Sequence, residues 1–259
     1  MEVATYEVES RVEQTHWWFV GRRRLFRAHI EALGLSPEAA VLDVGTSTGT
    51  NLRLLKDMGF TRYRGLDPSP DAVRWCAEKG LGAVDLGTVA AIPFPDATFD
   101  LVLATDIIEH VDDDGAALAE LRRVLKPSGT LLLTVPAFPS LWGLQDDVSH
   151  HKRRYRAASL QAAYARAGLA ARELYHFNFL LFLPIWLMRQ LIRLLGIRLR
   201  SENEVNTPAL NGLLRAIFAS DVALARRLKP PFGVSLLALL ERAGPGAPSP
   251  SAMPRGPSR

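Results

Sequence analysis

The run Val41-Leu42-Asp43-Val44-Gly45-Thr46-Ser47-Thr48-Gly49-Thr50-Asn51 constrains this chain most. It reads as a buried strand that ends near an acid, a turn of small residues, and the opening of a helix. An apolar strand that passes through a tight turn into a helix is the first half of a βαβ unit, and it commits the chain to a parallel sheet with helices on its faces. Gly45 and Gly49 carry no side chain where backbone can approach a ligand closely. Their spacing excludes a dinucleotide fingerprint, which needs G-x-G-x-x-G. A nucleotide-type site remains, its ligand class set by the residues downstream. The second strand, Tyr63 to Leu66, ends on Asp67. A carboxylate there can accept both hydroxyls of a ribose; the plainer alternative is an Asp that begins a turn before Pro68. Ser69, Pro70 and Asp71 then supply the N-cap, first helical position and first-turn acid of the next helix.

The rest of the pattern predicts an α/β fold. A helical segment reaches about Leu33, and strands fall near 41–44, 63–66, 82–85, 99–104, 130–136 and 169–176, with helical patterns between them. Leu125–Gly129 reads as a turn feeding the fifth strand, and Ser159 as the cap of a helix ending at Gly168. Gly233–Leu240 reads as the last strand, although its Leu and Ala content also permits a helix. The expected organisation is an N-terminal helical cap over 1–35, a ligand-binding α/β domain over 36–176, a helical insertion over 177–231, the last core strand over 232–243 and a disordered tail over 244–259. With 259 residues and 48% hydrophobic content the chain can bury one sizeable core. Cys76 is its single cysteine, which excludes an intrachain disulfide and fits a buried thiol in a reducing compartment. Met1–Glu7 has neither the basic flank nor the apolar run of a signal peptide, so the expected location is cytoplasmic.

Charge is uneven. The formal net charge is +4, yet residues 180–259 hold 11 Lys+Arg against 4 Asp+Glu. A basic C-terminal part suits nucleic acid, acidic lipid or an anionic substrate. Aromatic residues are too sparsely interleaved with basic ones for a single-strand binding face, so no nucleic-acid partner is expected. Phe177–Met188 is uncharged but too short to span a bilayer. Beyond it Arg189, Arg193 and Arg200 share one helical sector, with Leu187, Leu191 and Leu194 opposite. This predicts either an amphipathic helix resting through 177–200 on an anionic membrane surface, or a lid with a solvated arginine face. Both favour an apolar or lipid-linked substrate, and the first makes the protein peripheral at the inner membrane face.

Several of these runs together resemble the class I S-adenosylmethionine-dependent methyltransferases. Asp43–Gly49 is similar to their D-x-G-x-G-x-G motif, with Ser47 at the middle glycine. Ala91–Asp106 resembles the "LPFPDxSFDLV" stretch, and Leu125–Gly129 the "LKPGG" turn. His16–Arg24, His151–Tyr155 and Pro231–Ser235 resemble the "HWWFxGRR", "HKRRY" and "PxGxS" motifs of bacterial members found with glycan, lipid and natural-product pathways. The resemblance implies a Rossmann-like seven-stranded sheet and S-adenosylmethionine as cofactor, held by Asp43, Gly45, Ser47, Gly49, Asp67, Thr88, Val89 and Asp106. Thr88 stands where the family often has an Asp on the adenine amino group; a Thr hydroxyl still accepts a hydrogen bond, and Asp85 lies three residues too early to replace it. Ser47 is expected to support the start of the following helix. Trp17 would cover the pocket and contact substrate while Arg22 or Arg23 meets the cofactor's methionine carboxylate or an acidic substrate; otherwise the Trp pair simply anchors the first helix, with solvated arginines.

Methyl transfer from a sulfonium is an in-line displacement, so alignment and exclusion of water matter most. An oxygen nucleophile would profit from a base, for which His151 and His150 in the loop after the fifth strand are the candidates, with His110 after the fourth. The alternative for the loop histidines is a structural pairing with Asp146 or Asp147. Tyr155 joins Trp17 as a substrate contact. Asp106–His110 resembles the E-x-x-E-H segment that contributes metal ligands in the quinone O-methyltransferase branch, but the first acid is shorter here and no metal is assigned. The function read from the sequence is methyl transfer to a small, apolar or lipid-linked acceptor, at oxygen. A non-catalytic membrane-associated protein of the same fold and a nucleic-acid methyltransferase are the alternatives; the second lacks an N/D-P-P-Y/F element, Thr105–Ile108 standing in its place. Acceptor identity and oligomeric state stay open.

Overall fold

The computed structural model describes residues 12–195 and 207–244. Helix α1 (Trp17–Ala32) leads into β1 (Ala40–Val44), α2 (Thr50–Asp57), β2 (Arg62–Asp67), α3 (Pro70–Glu78), β3 (Ala83–Leu86) and β4 (Phe99–Thr105). A 3₁₀ turn (Ile108–His110) precedes α4 (Asp114–Val124), β5 (Leu125–Pro136), the short α5 (Leu144–Val148), α6 (Ala157–Arg166) and β6 (Leu169–Phe177). Helices α7 (Phe182–Leu195) and α8 (Pro208–Leu228) come next, and β7 (Ser235–Arg242) closes the order.

The strands form one seven-stranded sheet in the order β3-β2-β1-β4-β5-β7-β6, with β7 antiparallel to both neighbours. The central strands are covered on both faces, so they read as unbroken apolar runs. Residues 236–240 of β7 are buried between β5 and β6, which makes this Leu-rich segment a strand. The edge strand β3 is instead half exposed and tied to β2 by the Arg64–Asp85 ion pair at 2.8 Å. One core layer unites β1, β4 and β5 side chains with α4 and α6; the opposite layer takes in α1, α2 and α8. Cys76 lies buried in that second layer, where burial pushes its thiol up to about 12, as suits an inert core cysteine.

Three local expectations are corrected. Leu125–Gly129 is the bulged beginning of β5, paired through Phe99–Leu125 and then shifted in register, because Val124 and Arg123 carbonyls already hold the preceding loop. Ser159 lies inside the first turn of α6, its hydroxyl accepting the Arg156 amide at 3.0 Å, with Arg156 as the cap. The third concerns α7. Arg189 is 7% exposed and donates to the Leu141 carbonyl, and Arg193 donates to the Trp142 carbonyl, so both reach back to the protein body. Leu187, Leu191 and Leu194 are 52%, 50% and 83% exposed. The helix is turned with Arg189 inward and Arg193 at its exposed border, because loop carbonyls beneath it take donors that leucine cannot supply. Arg200 and the tail from 245 onward lie outside the described residues.

The first helix is locked to the insertion by aromatic packing. Trp18 stacks on Phe218 of α8, ring centroids 5.4 Å apart, and a Cβ built at Gly21 would sit 2.0 Å from the Phe218 ring. A side-chain-free position is therefore what lets α1 and α8 meet. Gly21→Ala is expected to destabilise the fold by about 1–3 kcal/mol through overpacking, despite the better helix propensity of Ala. Denaturant unfolding followed by tryptophan fluorescence checks this.

Candidate active site

A cavity of about 850 Å³ lies at the carboxyl ends of β1, β2 and β4, under α1, α7 and α8. Open α/β sheets bind ligands at this edge, where strand order reverses between β1 and β4. Of the residues singled out from sequence, Gly45, Ser47, Asp67, Thr88, Val89, Asp106, Arg22, Trp17 and His151 line it. Asp43, Gly49, His150 and Tyr155 are not among its lining residues.

The floor is the turn after β1. Gly45, Ser47 and Gly49 all take left-handed backbone, with φ of 74°, 51° and 87°. At Gly49 a Cβ would meet Leu81 at 2.5 Å, so this position has neither the torsional nor the spatial room for a side chain. Ser47 bears a strain of about 1–2 kcal/mol there and is held by Asp67, whose Oδ2 accepts its amide at 2.8 Å while Oδ1 accepts the Ser69 amide at 2.9 Å. Ser47 does not support the helix start: α2 begins at Thr50, capped by Gly49. Asp67 is 2% exposed, and burial raises its carboxyl against the lowering effect of these two amides. Each carboxylate oxygen keeps a second lone pair for a ligand hydroxyl.

Asp43 serves the site from behind. It is fully buried, which pushes its carboxyl up to about 7 against the Asn51 hydrogen bond, and Asn51 Nδ2 donates to its Oδ1 at 2.8 Å. The same Nδ2 meets the Thr105 hydroxyl at 3.1 Å. Asn51, which does line the cavity, is thereby fixed by Asp43. Glu13 was not foreseen: buried ahead of α1, it accepts from the Thr48 and Thr50 hydroxyls and from Lys79 at 3.1 Å. Nothing local in the sequence marks this contact, which spans 35 residues to Thr48.

Opposite the turn, Arg22 pairs with Asp106 at 2.8 Å and lies against the Trp18 and Phe26 rings. Its Nε is buried without a hydrogen-bond partner. The loop after β5 brings His151 to the cavity, where its Nδ1 lies 2.8 Å from Asp146 Oδ1. Asp146 also receives Arg154 Nε at 2.8 Å and the Gly143 amide at 2.7 Å, with Arg189 at 3.7 Å. Burial would raise this carboxyl, but the His151 bond and the Arg154 charge outweigh it and hold it down at about 2. His150 is exposed, in left-handed backbone on a turn, and Tyr155 lies in the core with its hydroxyl on Asp114 at 2.8 Å. Both are set aside from the cavity because backbone pairing of Tyr155 with Pro136 and Phe138 fixes which way this loop turns.

The His110 ring meets the His151 ring edge-on, centroids 4.6 Å apart. Glu109, His110 and His151 bring one ligand atom each within 4.8 Å of one another, a grouping able to hold a divalent cation. Asp106 is outside that trio, held by Arg22.

The comparisons agree with this geometry. Residues 42–133 match the family model described as "Methyltransferase domain". The 2-methyl-6-phytyl-1,4-hydroquinone methyltransferase of Synechocystis is 35% identical over 120 residues, 44% of this chain and 35% of that protein. The ubiquinone biosynthesis O-methyltransferase of a Bradyrhizobium strain is 32% identical over 115 residues, 43% of this chain and 45% of that one. The match thus spans less than half the length of these relatives. Among solved structures, a complex of the Haloferax volcanii Trm112 methyltransferase activator with the putative methyltransferase superimposes with a TM-score of 0.60 at 22% identity, covering 93% of this chain and 95% of that one.

Burial, and behind it the neighbouring His151, holds His110 neutral down to about 4, and burial does the same for His29. The stability from keeping each neutral is complete above pH 6.5 and is lost as pH falls toward 4, by about 1.4 kcal/mol per pH unit per histidine. Melting curves between pH 7 and 4 are expected to show this slope, and His29→Gln to remove its share.

At the floor of the cavity the left-handed turn, Asp67 and the 42–133 match converge: this stretch is a methyltransferase domain, set in the seven-stranded Rossmann-like sheet.

Proposed function

We propose that the protein methylates a small apolar or lipid-linked acceptor at oxygen, with S-adenosylmethionine as donor and His151 as base. The observation that carries the donor assignment is Asp67, buried at the end of β2, pinned by two backbone amides beside the left-handed turn, with lone pairs left for ribose hydroxyls. Gly45, Ser47, Thr88, Val89 and Asn51 would complete that half of the cavity. The bound cofactor supplies a methyl group on a sulfonium, open to in-line displacement.

The chain's own part is to orient an acceptor, exclude water and take a proton. His151 lines the cavity with Nδ1 on Asp146, an arrangement that leaves Nε2 for an acceptor hydroxyl and stabilises the ring once protonated. Trp17, Phe19 and the α7 and α8 side chains roof the cavity and keep it dry. Oxygen as the methylated atom is supported by this base; the apolar acceptor is supported by Leu181, Pro184, Ile185 and Met188 along the cavity wall.

Contact with an anionic membrane surface through 177–200 has a specific support as well: α7 presents Leu187, Leu191 and Leu194 outward with Arg193 exposed on the same helix, and the segment carries no acid. No described helix is long and apolar enough to cross a membrane, so the contact would be peripheral, at the inner face.

Calorimetry with S-adenosylmethionine and S-adenosylhomocysteine tests the donor assignment: both are expected to bind wild type, and Asp67→Ala to weaken them at least about tenfold through loss of a charge-assisted pair of hydrogen bonds. Absence of heat from wild type at high concentration would sink it. Vesicle flotation tests the membrane face: the protein is expected to float with vesicles containing anionic lipid, and Leu187→Glu with Leu191→Glu to stay at the bottom.

A further inference from the structure

Asn178, immediately after β6, has an environment that the proposed reaction does not yet use. Its backbone is left-handed, with φ of 57°, and it is 1% exposed. The backbone groups are engaged: its N–H donates to Asp221 Oδ1 at 2.7 Å, and its carbonyl accepts from Val234 at 3.3 Å. Asp221, itself buried in α8, also accepts the Phe179 and Leu180 amides at 2.6 and 2.9 Å. The residue is thus clamped by a carboxylate with three backbone bonds. Its side-chain Nδ2 and Oδ1 are both buried without a hydrogen-bond partner, and the residue lines the cavity. A buried amide with neither group satisfied is costly unless something that enters the cavity meets it.

The segment just beyond Asn178 shapes the rest of the ligand. Leu181, Ile185, Met188 and Ile192 line the cavity at helical spacing along α7, with Leu210 and Leu214 of α8 also on the wall. From Leu181 to Ile192 this stripe runs about 16 Å at the helical rise. Met188 lines the cavity and is 59% exposed, so the stripe leads from the buried amide to solvent.

We propose that Asn178 selects the acceptor: its amide takes a head group that sets a hydrogen-bond donor beside an acceptor, as a hydroxy-carbonyl compound or a carboxamide does, on a molecule whose apolar tail follows the α7 stripe. An amide offers N–H and C=O side by side, and a single oxygen cannot meet both with good angles. A carboxylate would leave Oδ1 facing an oxygen without a proton. The inference rests on reading the cavity as a methyl-transfer site, and it narrows the acceptor to an amphiphile with a paired polar head.

The test uses the full chain, with and without saturating S-adenosylhomocysteine, and calorimetry with two neutral probes: octanamide, which has the donor and the acceptor, and methyl octanoate, which has the acceptor alone. Wild type is expected to bind octanamide at least about tenfold more tightly, since a site built to pair a polar group rejects the analogue that lacks it. Asn178→Gly tolerates the left-handed backbone and removes the amide. Asn178→Asp tolerates it too and replaces the donor with a second acceptor. Asn178→Gly is expected to lose the preference, and Asn178→Asp, whose carboxylate still accepts from the carboxamide N–H but donates to neither carbonyl, to keep it while binding both probes more weakly; both variants are expected to bind S-adenosylhomocysteine as wild type does. Equal binding of the two probes by wild type, no binding of either, or a preference that survives in Asn178→Gly overturns the proposal. Failure of wild type to bind S-adenosylhomocysteine would instead remove the methyl-transfer reading, and the cofactor-free arm would still decide the role of Asn178.

Discussion

The bond between the Ser47 amide and the Asp67 carboxylate holds together the part of the structure on which the rest depends. A turn with three left-handed residues is not a conformation this chain would keep unaided, since one of the three is a serine. Asp67 pins it from β2, and Glu13 pins its far side through Thr48, Thr50 and Lys79. The turn is over-determined from both directions, and that is how a non-glycine residue persists at its middle. The same clamp ties the segment before α1 to the turn on the cavity floor, and Trp17 and Arg22 of α1 line the cavity beside it.

Asp146 plays the equivalent part on the acceptor side. It has His151, Arg154 and the Gly143 amide as close partners, and Arg189 of α7 approaches it as well. A fully buried carboxylate is tolerable only with such compensation, and here the compensation connects His151 to α7. Arg189 also donates to the Leu141 carbonyl. Movement of α7 would therefore disturb the environment of His151.

Sequence alone revealed most of what is periodic or local. Seven strands in order, the turn at Gly45–Gly49, the carboxylate ending β2 and the Ser69–Pro70 helix start were all legible, because each rests on residues adjacent in the chain. What escaped was set by distant partners. Glu13 has meaning only once α1 folds back on the turn, and Asn178 only once Asp221, 43 residues later, fixes its backbone. His150 and His151 are neighbours in sequence, yet only His151 reaches the cavity, a choice made by the Asp146 carboxylate and by the turn in which His150 sits. From sequence Tyr155 is expected as a substrate contact, whereas its pairing with Pro136 and Ala137 directs it into the core.

The reversal of α7 comes from the same kind of distant demand, and it changes what the insertion can do. Amphipathic periodicity identifies two faces but not which one is inside, and ordinary burial would put the leucines in. The Leu141 and Trp142 carbonyls and Asp146 lie beneath the helix, and leaving them bare costs more than exposing a few methyl groups to solvent. The arginines therefore serve the body, and the leucines are left for something other than the core. A third set of side chains on the same helix, Ile185, Met188 and Ile192, lines the cavity. One helix thus joins a carboxylate-held histidine, an apolar groove and an outward apolar face.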